Sequence, residues 1–292
     1  MEHQAQINSI NIQYETFGTK SNPAVLLISG LGISMTRWTT PFCELLATKG
    51  YYIIRYDNRD TGCSTFSDKK FNSPEEVFAV LGKDVIEPPF YSLYDLAKDA
   101  ILLLDHLKIS KVHVIGRSMG GIIGQIIASK YKERVLSLTI IMSTSLNPIL
   151  PQTSPDVMGR MMAPLPNYQT DKENHIKARL AFTKFISSTD LPFNEQEEIA
   201  LIEKDYNRNE RSNNTLMHVC AVGFTPYDRE ITASITCPTL IIHGTIDPIF
   251  PKEHALDLHQ SIANSKLLLI ANMGHDLHQD RYAEVIERFI EL

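Results

Sequence analysis

Short apolar runs alternate with helix-like segments along most of this 292-residue chain. Each run spans five to eight residues with few charges, a pattern typical of strands that are buried on both faces of a sheet. Because strands and helices alternate, we predict an α/β fold in which helices cover both faces of a mostly parallel sheet. The predicted strands are residues 24–29, 51–57, 112–116, 135–142, 239–244 and 266–271.

Two more strands are expected near the N-terminus. Residues 6–17 alternate loosely around the turn-like pair Asn8-Ser9 and therefore predict a hairpin. Helices are expected between the later strands, and Ser92 is a plausible N-cap for the second of them. The predicted helices are residues 42–50, 95–107, 121–131, 252–263 and 281–292.

Residues 146–230 break this alternation with proline-rich turns and helix-like stretches such as residues 197–206. Since the alternation resumes afterwards, the interruption indicates an insertion over the sheet, termed the cap here. We predict a core domain formed by residues 1–145 and 231–292, and a helical cap formed by residues 146–230.

Composition and charge argue against several kinds of partner. A hydrophobic share of 43% is ordinary for a soluble globular protein, and a net charge of −6 disfavours nucleic acid or an anionic membrane as the main partner. The N-terminus lacks the features of a secretory signal, and no stretch approaches the about 18 apolar residues of a membrane span, so a cytoplasmic location is expected.

Scattered cysteines indicate free thiols and no zinc site or disulfide framework. They are Cys43, Cys63, Cys220 and Cys237.

A serine between glycines follows the third predicted central strand. Gly116-Arg117-Ser118-Met119-Gly120 matches G-x-S-x-G and opens a predicted helix, which is the context of a nucleophile elbow. The glycines remove side chains that would collide in so sharp a turn. The Met119 N–H lies at the helix N-terminus and can stabilise an oxyanion beside the Ser118 hydroxyl. The alternative is a glycine-rich turn with an incidental serine.

A serine nucleophile needs a base, and the base needs an acid to orient it. His275 follows the last predicted strand and Asp247 follows the one before it, so both lie at the sheet edge where ligands bind. His278 is a rival base, whereas His243 is expected to pack beside a turn. Asp276 adjoins His275 in sequence and could not easily reach its Nδ1 atom.

The loop after the first central strand is expected to supply a second oxyanion donor, the N–H of Leu31. Trp38 at the end of this segment is either a pocket wall or a core residue. The acidic and basic stretch at residues 57–64 is predicted to be a self-satisfied loop in which carboxylates bond backbone N–H groups and Arg59, in preference to a polar substrate site. Three methionines of the cap are candidate pocket residues, with the cap's own core as the alternative. They are Met158, Met161 and Met162.

These motifs resemble those of the α/β-hydrolase family, in particular a bacterial group of hydrolases related to aclacinomycin methylesterase. The matching segments are RYDNRDTGCST, VHVIGRSMGGIIGQIIA, RVLSLTIIMSTSLNP, TCPTLIIHGTIDPIFP and NMGHDL. The resemblance implies an eight-stranded sheet, a helical cap, a triad in the chain order Ser118, Asp247, His275, and oxyanion donors at Leu31 and Met119.

Two positions depart from this family's pattern. Ser29-Gly30 stands where many relatives have His-Gly, and Asn272 stands where relatives often have glycine. Neither departure removes a member of the expected triad.

The sequence therefore predicts a serine hydrolase that cleaves small to medium uncharged carboxylic esters through an acyl-enzyme, without metal or cofactor. Thioester cleavage or C–C bond hydrolysis on the same triad is the alternative enzyme activity, and a ligand-binding protein with a nearly idle triad is the alternative class. The expected partner is a small-molecule ester, and a homodimer is left open.

Overall fold

The predicted strands form one sheet in the computed structural model, which describes residues 1–82, 90–208 and 214–292. Within these residues the sheet has eight strands in the order β1-β2-β4-β3-β5-β6-β7-β8. The strands are β1 Glu2–Ile7, β2 Ile10–Phe17, β3 Ala24–Ile28, β4 Tyr52–Tyr56, β5 Val112–Arg117, β6 Val135–Ile141, β7 Thr239–Gly244 and β8 Ser265–Ile270.

The pairing confirms a mostly parallel sheet. β2 pairs antiparallel with β1 and β4, and every other neighbouring pair from β4 to β8 is parallel. Asn8 and Ser9 form the tip of the predicted hairpin with positive φ angles. Because Ile28 is level with Gly116, and Gly116 with Ile140, the carboxyl ends of the central strands lie side by side.

Helices cover both faces of the sheet and bury the alternate side chains of each central strand. In β3, Leu26 and Ile28 belong to the buried cluster on one face of the sheet, whereas Val25 and Leu27 belong to the buried cluster on the other face. The helices are α1 Thr40–Thr48, α2 Pro74–Leu81, α3 Leu93–His106, α4 Met119–Lys130, α5 Pro155–Met162, α6 Lys172–Ile186, α7 Glu195–Arg208, α8 Thr215–Gly223, α9 Arg229–Ala233, α10 Glu253–Ser261 and α11 Tyr282–Ile290.

The predicted helices are confirmed with bounds shifted by a few residues. Ser92 caps α3 as expected, and Asp95 completes a capping box with it. Between β6 and β7 the chain forms α5 to α9, so the described part of the predicted cap is helical. In the described residues no helix has the length and apolar character needed to cross a membrane.

Candidate active site

Ser118 is the single residue between β5 and α4, and its backbone is strained. Its φ of +53° and ψ of −126° lie outside the regions that most residues adopt. A Cβ atom on Gly116 would lie 2.1 Å from the carbonyl oxygen of Gly120, and one on Gly120 would lie 2.2 Å from that of Ile28. The predicted reason for the glycines is therefore confirmed. Strain of this kind costs about 1–3 kcal/mol and is found where function needs it.

The neighbouring strand β6 and the residues just after it hold the strained turn in place. The Ser118 N–H donates to the Ile141 carbonyl at 2.9 Å, and the Ser118 carbonyl accepts from Ser143 Oγ at 2.7 Å. The next residue, Met119, is the first of α4, so its N–H has no carbonyl partner within the helix. The helix thus leaves this N–H unbonded within itself, as the predicted role of an oxyanion donor requires.

His275 and Asp247 meet at the same sheet edge. His275 Nδ1 lies 2.7 Å from Asp247 Oδ2, and the other carboxylate oxygen accepts the N–H groups of Ile249 and Phe250. Burial alone raises the pKa of the Asp247 carboxyl, but the charge and hydrogen bond of His275 bring that pKa below its ordinary value. An ionised Asp247 fixes the proton of His275 on Nδ1, which leaves Nε2 as the basic nitrogen.

The rival residues are engaged elsewhere. Asp276 accepts the N–H and hydroxyl of Ser188, both at 2.8 Å, and so faces the cap. His278 Nε2 lies 3.2 Å from the Pro192 carbonyl. His243 is buried behind Asp247, with Nε2 2.7 Å from the Phe250 carbonyl, which agrees with its predicted packing beside a turn.

The histidine loop, residues 271–278, also contacts the end of α6. The His275 N–H donates to the Ile186 carbonyl at 2.6 Å, and a Cβ on Gly274 would lie 2.1 Å from the same oxygen. Asn272 has a φ of +58°, a left-handed conformation that asparagine tolerates better than most residues. Asparagine can therefore occupy this position, where the family pattern led us to expect glycine.

The loop of residues 30–38, called the oxyanion loop for its expected role, runs directly beside Ser118. A Cβ on Gly30 would lie 3.2 Å from the Cβ of Ser118, and a turn closes where Ile33 N–H donates to the Gly30 carbonyl at 3.3 Å. Leu31 lies inside this turn. The structure thus brings the segments of both predicted oxyanion donors to Ser118.

Side chains of the cap also hold the oxyanion loop. The Gly32 N–H donates to His218 Nδ1 at 3.0 Å, Ser34 Oγ donates to Asp205 at 2.6 Å, and Arg37 donates to both oxygens of Glu198 at 2.7 Å. The sequence analysis missed all three cap residues. They lie in no motif, and their partners are more than 150 positions away, so the sequence carries no local signal for them.

The prediction for residues 57–64 needs a correction. Asp57 accepts the backbone N–H of Cys63 as expected, but it also accepts that of Met35 and pairs with Arg208 of α7 at 2.9 Å. Arg59 pairs with Asp99 of α3, outside the loop. The loop therefore links the core to the cap and is not satisfied within itself.

The predicted pocket residues differ in their surroundings. Trp38 is 1% exposed, packs with its ring tilted against that of Phe42 and lies beneath the Arg117 guanidinium, so the structure favours the core interpretation for it. The three methionines are half-buried on α5, and their spacing of three and four residues gives them a common helix face. They are Met158, Met161 and Met162. The described residues contain no cluster of three or more His, Cys, Asp or Glu side chains suited to a metal ion.

Comparison with known proteins identifies relatives that are named as hydrolases or esterases. Residues 23–282 match a family model described as the alpha/beta hydrolase fold. Rhodomycin D methylesterase DnrP of Streptomyces peucetius is 27% identical over 92% of this chain and 90% of its own, and human serine hydrolase BPHL is 25% identical over 98% and 84%. The crystal structure of an enol-lactonase from Burkholderia xenovorans LB400 superposes with a TM-score of 0.72 at 20% identity, covering 99% of this chain and 98% of that one.

Proposed function

The chain belongs to the alpha/beta hydrolase fold family, as its motifs indicate, and on this premise we propose that it hydrolyses carboxylic esters with a triad of Ser118, His275 and Asp247. The 2.7 Å contact between His275 Nδ1 and Asp247 is the observation that carries the proposal. This contact gives the histidine the tautomer that a general base needs, at the sheet edge where Ser118 is held in a strained turn.

The reaction proceeds in two halves. His275 Nε2 accepts the hydroxyl proton as Ser118 Oγ attacks the ester carbonyl, and the oxyanion of the tetrahedral intermediate is stabilised by the N–H groups of Leu31 and Met119. The intermediate collapses, and His275 returns the proton to the leaving alcohol. Water then attacks the acyl-enzyme by the same route and releases the acid. Side chains and backbone of this chain are sufficient for every step.

The substrate class follows from the cap. We assign residues 146–230 the role of a lid over Ser118, with the methionine face of α5 as an apolar wall. Each methylene buried against such a wall contributes about 0.8 kcal/mol, which favours small to medium uncharged esters until the pocket is full. The relatives named methylesterases support ester cleavage in general.

A panel of p-nitrophenyl esters from acetate to palmitate tests the proposal, with thioesters of matched acyl length alongside. We expect an initial burst of p-nitrophenol, a kcat/KM that rises with short chains and a sharp fall before palmitate. A higher kcat/KM for the thioesters than for the matched esters would mean that the protein is a thioesterase. An optimum at palmitate would refute the closed pocket, and absence of turnover throughout would refute the esterase.

A further inference from the structure

His218 of the cap touches the oxyanion loop at the residue that follows the expected donor Leu31. We propose that His218 is a positioning residue that holds the Leu31 N–H in place for the oxyanion, an inference that rests on the proposed function. The contact joins His218 Nδ1 to the Gly32 N–H at 3.0 Å. His218 comes from α8 and is completely buried.

The hydrogen bonds of the imidazole define its tautomer. A backbone N–H can only donate, so His218 Nδ1 must be the unprotonated, accepting nitrogen. The proton therefore lies on Nε2, which donates to the Arg59 carbonyl at 2.8 Å. Burial lowers the pKa of His218 and outweighs the Arg59 carbonyl and the nearby Asp60 carboxylate, so the ring is neutral, the only state that can accept from Gly32.

The Gly32 contact restrains Leu31 because the two residues share a peptide plane. Fixing the direction of the Gly32 N–H fixes the plane on the C-terminal side of Leu31. The turn bond from Ile33 to Gly30 restrains the loop from its other end. Little room remains for an alternative path, since a Cβ on Gly32 would lie 2.4 Å from Thr215 Oγ1 of α8.

An oxyanion donor contributes mainly in the transition state, so its misplacement lowers kcat more than it raises KM. Removing one such donor outright costs on the order of 10²-fold to 10³-fold in kcat. A donor that is displaced but present should cost less. We therefore expect a loss of roughly 10-fold to 10²-fold in kcat when His218 can no longer accept from Gly32.

Two variants of His218 distinguish the effect of its hydrogen bond to Gly32 from the effect of the volume that its side chain fills. His218→Leu removes the acceptor and keeps much of the volume, whereas the carboxamide oxygen of His218→Asn can take the place of Nδ1. We expect His218→Leu to lose kcat with KM changed by less than about threefold, and His218→Asn to recover most of the loss. His175→Leu is the matched control, because His175 is a buried histidine of the cap that also bonds to a backbone carbonyl, that of Pro166. It should lower the melting temperature without lowering kcat.

Labelling of Ser118 by a fluorophosphonate, followed by intact mass, provides a second measurement that needs no substrate. The reagent places a phosphoryl oxygen where the oxyanion forms, so its second-order rate constant should fall in His218→Leu and recover in His218→Asn. Equal kcat and labelling rates in wild type and folded His218→Leu would overturn the inference alone. Equal losses in His218→Leu and His175→Leu would also overturn it, because the effect would then be one of cap stability. A wild-type protein that neither turns over esters nor labels would overturn the proposed function instead.

Discussion

The sheet edge and the cap contribute different things to the candidate site. The sheet edge carries Ser118, Asp247 and His275, each directly after a strand or one turn beyond it. The cap carries side chains, such as His218 and Glu198, that hydrogen-bond to the oxyanion loop beside those residues. This division indicates that the proposed reacting groups belong to the core, whereas the placement of the loops depends on both parts.

The two regions also differ in what stabilises them. All five residues of β3 and all five of β4 are buried, whereas the only residue buried in α6 is His175. Helix α6 thus gains little from apolar burial, and the cap is joined to the core both by shielded ion pairs and by apolar residues of α8. Breaking such a pair leaves a buried charge and costs more than forming it gains.

Removing the proposed nucleophile should produce the largest effect. Ser118→Ala is expected to lower kcat on p-nitrophenyl esters by at least about 10⁴-fold, as when a triad serine is lost. Circular dichroism should show an unchanged fold. Ser129→Ala, in the helix α4 that follows Ser118 but bonded to Ser234, is the matched control and should retain activity. Near wild-type turnover by the Ser118 variant would place the chemistry outside the sheet edge.

Asp247→Asn should come next. An amide at this position favours the wrong tautomer of His275, and the loss in kcat should be about 10³-fold to 10⁴-fold, by analogy with serine proteases. Steady-state kinetics at saturating ester measures it. Asp276→Asn is the comparison, since Asp276 faces Ser188 in the cap. A larger loss from Asp276→Asn than from Asp247→Asn would mean that the acid has been misassigned.

The same division explains what the sequence could predict. The local sequence shows the strands and the residues that follow them, because each apolar run leads into a segment such as Gly116-Arg117-Ser118 or the one that contains Asp247. The topology of the sheet then brings these strand ends together. The contacts between the cap and the core have no local signal in the sequence. Asp205 and Glu198 lie on helix α7, whose charged sequence is typical of a solvated surface, and only the folded chain brings them to Ser34 and Arg37. The short helix α2 was also missed, because it buries only Val77 and so shows little periodicity.

Arg208 tests how much the cap attachment depends on one ion pair. Its side chain is 9% exposed and bonds to Asp57, which is completely buried, and to Glu2. Arg208→Met should lower the free energy of unfolding by about 3 kcal/mol, because the Asp57 charge is left without its cation. Urea unfolding measures the loss. Lys177→Met removes an exposed pair with Glu173 in the same cap and should cost less than about 0.5 kcal/mol.

The loss in Arg208→Met should also depend on pH. Burial raises the pKa of the Asp57 carboxyl above its ordinary 3.8 even with Arg208 present, and removal of the cation raises it further. The folded state then binds the proton more tightly than the unfolded state, so stability falls as pH rises between the two pKa values. The deficit relative to wild type should therefore be smaller at about pH 5 than at about pH 8. A deficit that grows on acidification would contradict this account of Asp57.

The smallest effect is expected from the methionine face of the cap. If Met161 lines the pocket, Met161→Ala opens space for the acyl chain and moves the optimum to longer esters, by about fourfold in relative kcat/KM per added methylene at 0.8 kcal/mol each. The measurement is kcat/KM across the ester series for wild type and for variants of Met158, Met161 and Met162. Leu165→Ala, at an exposed side chain of the same segment, should leave the series unchanged. If Met161 only fills the cap's own core, Met161→Ala lowers the melting temperature and leaves the chain-length preference unchanged. In that case the residues that select the substrate would lie in the loops of the sheet edge.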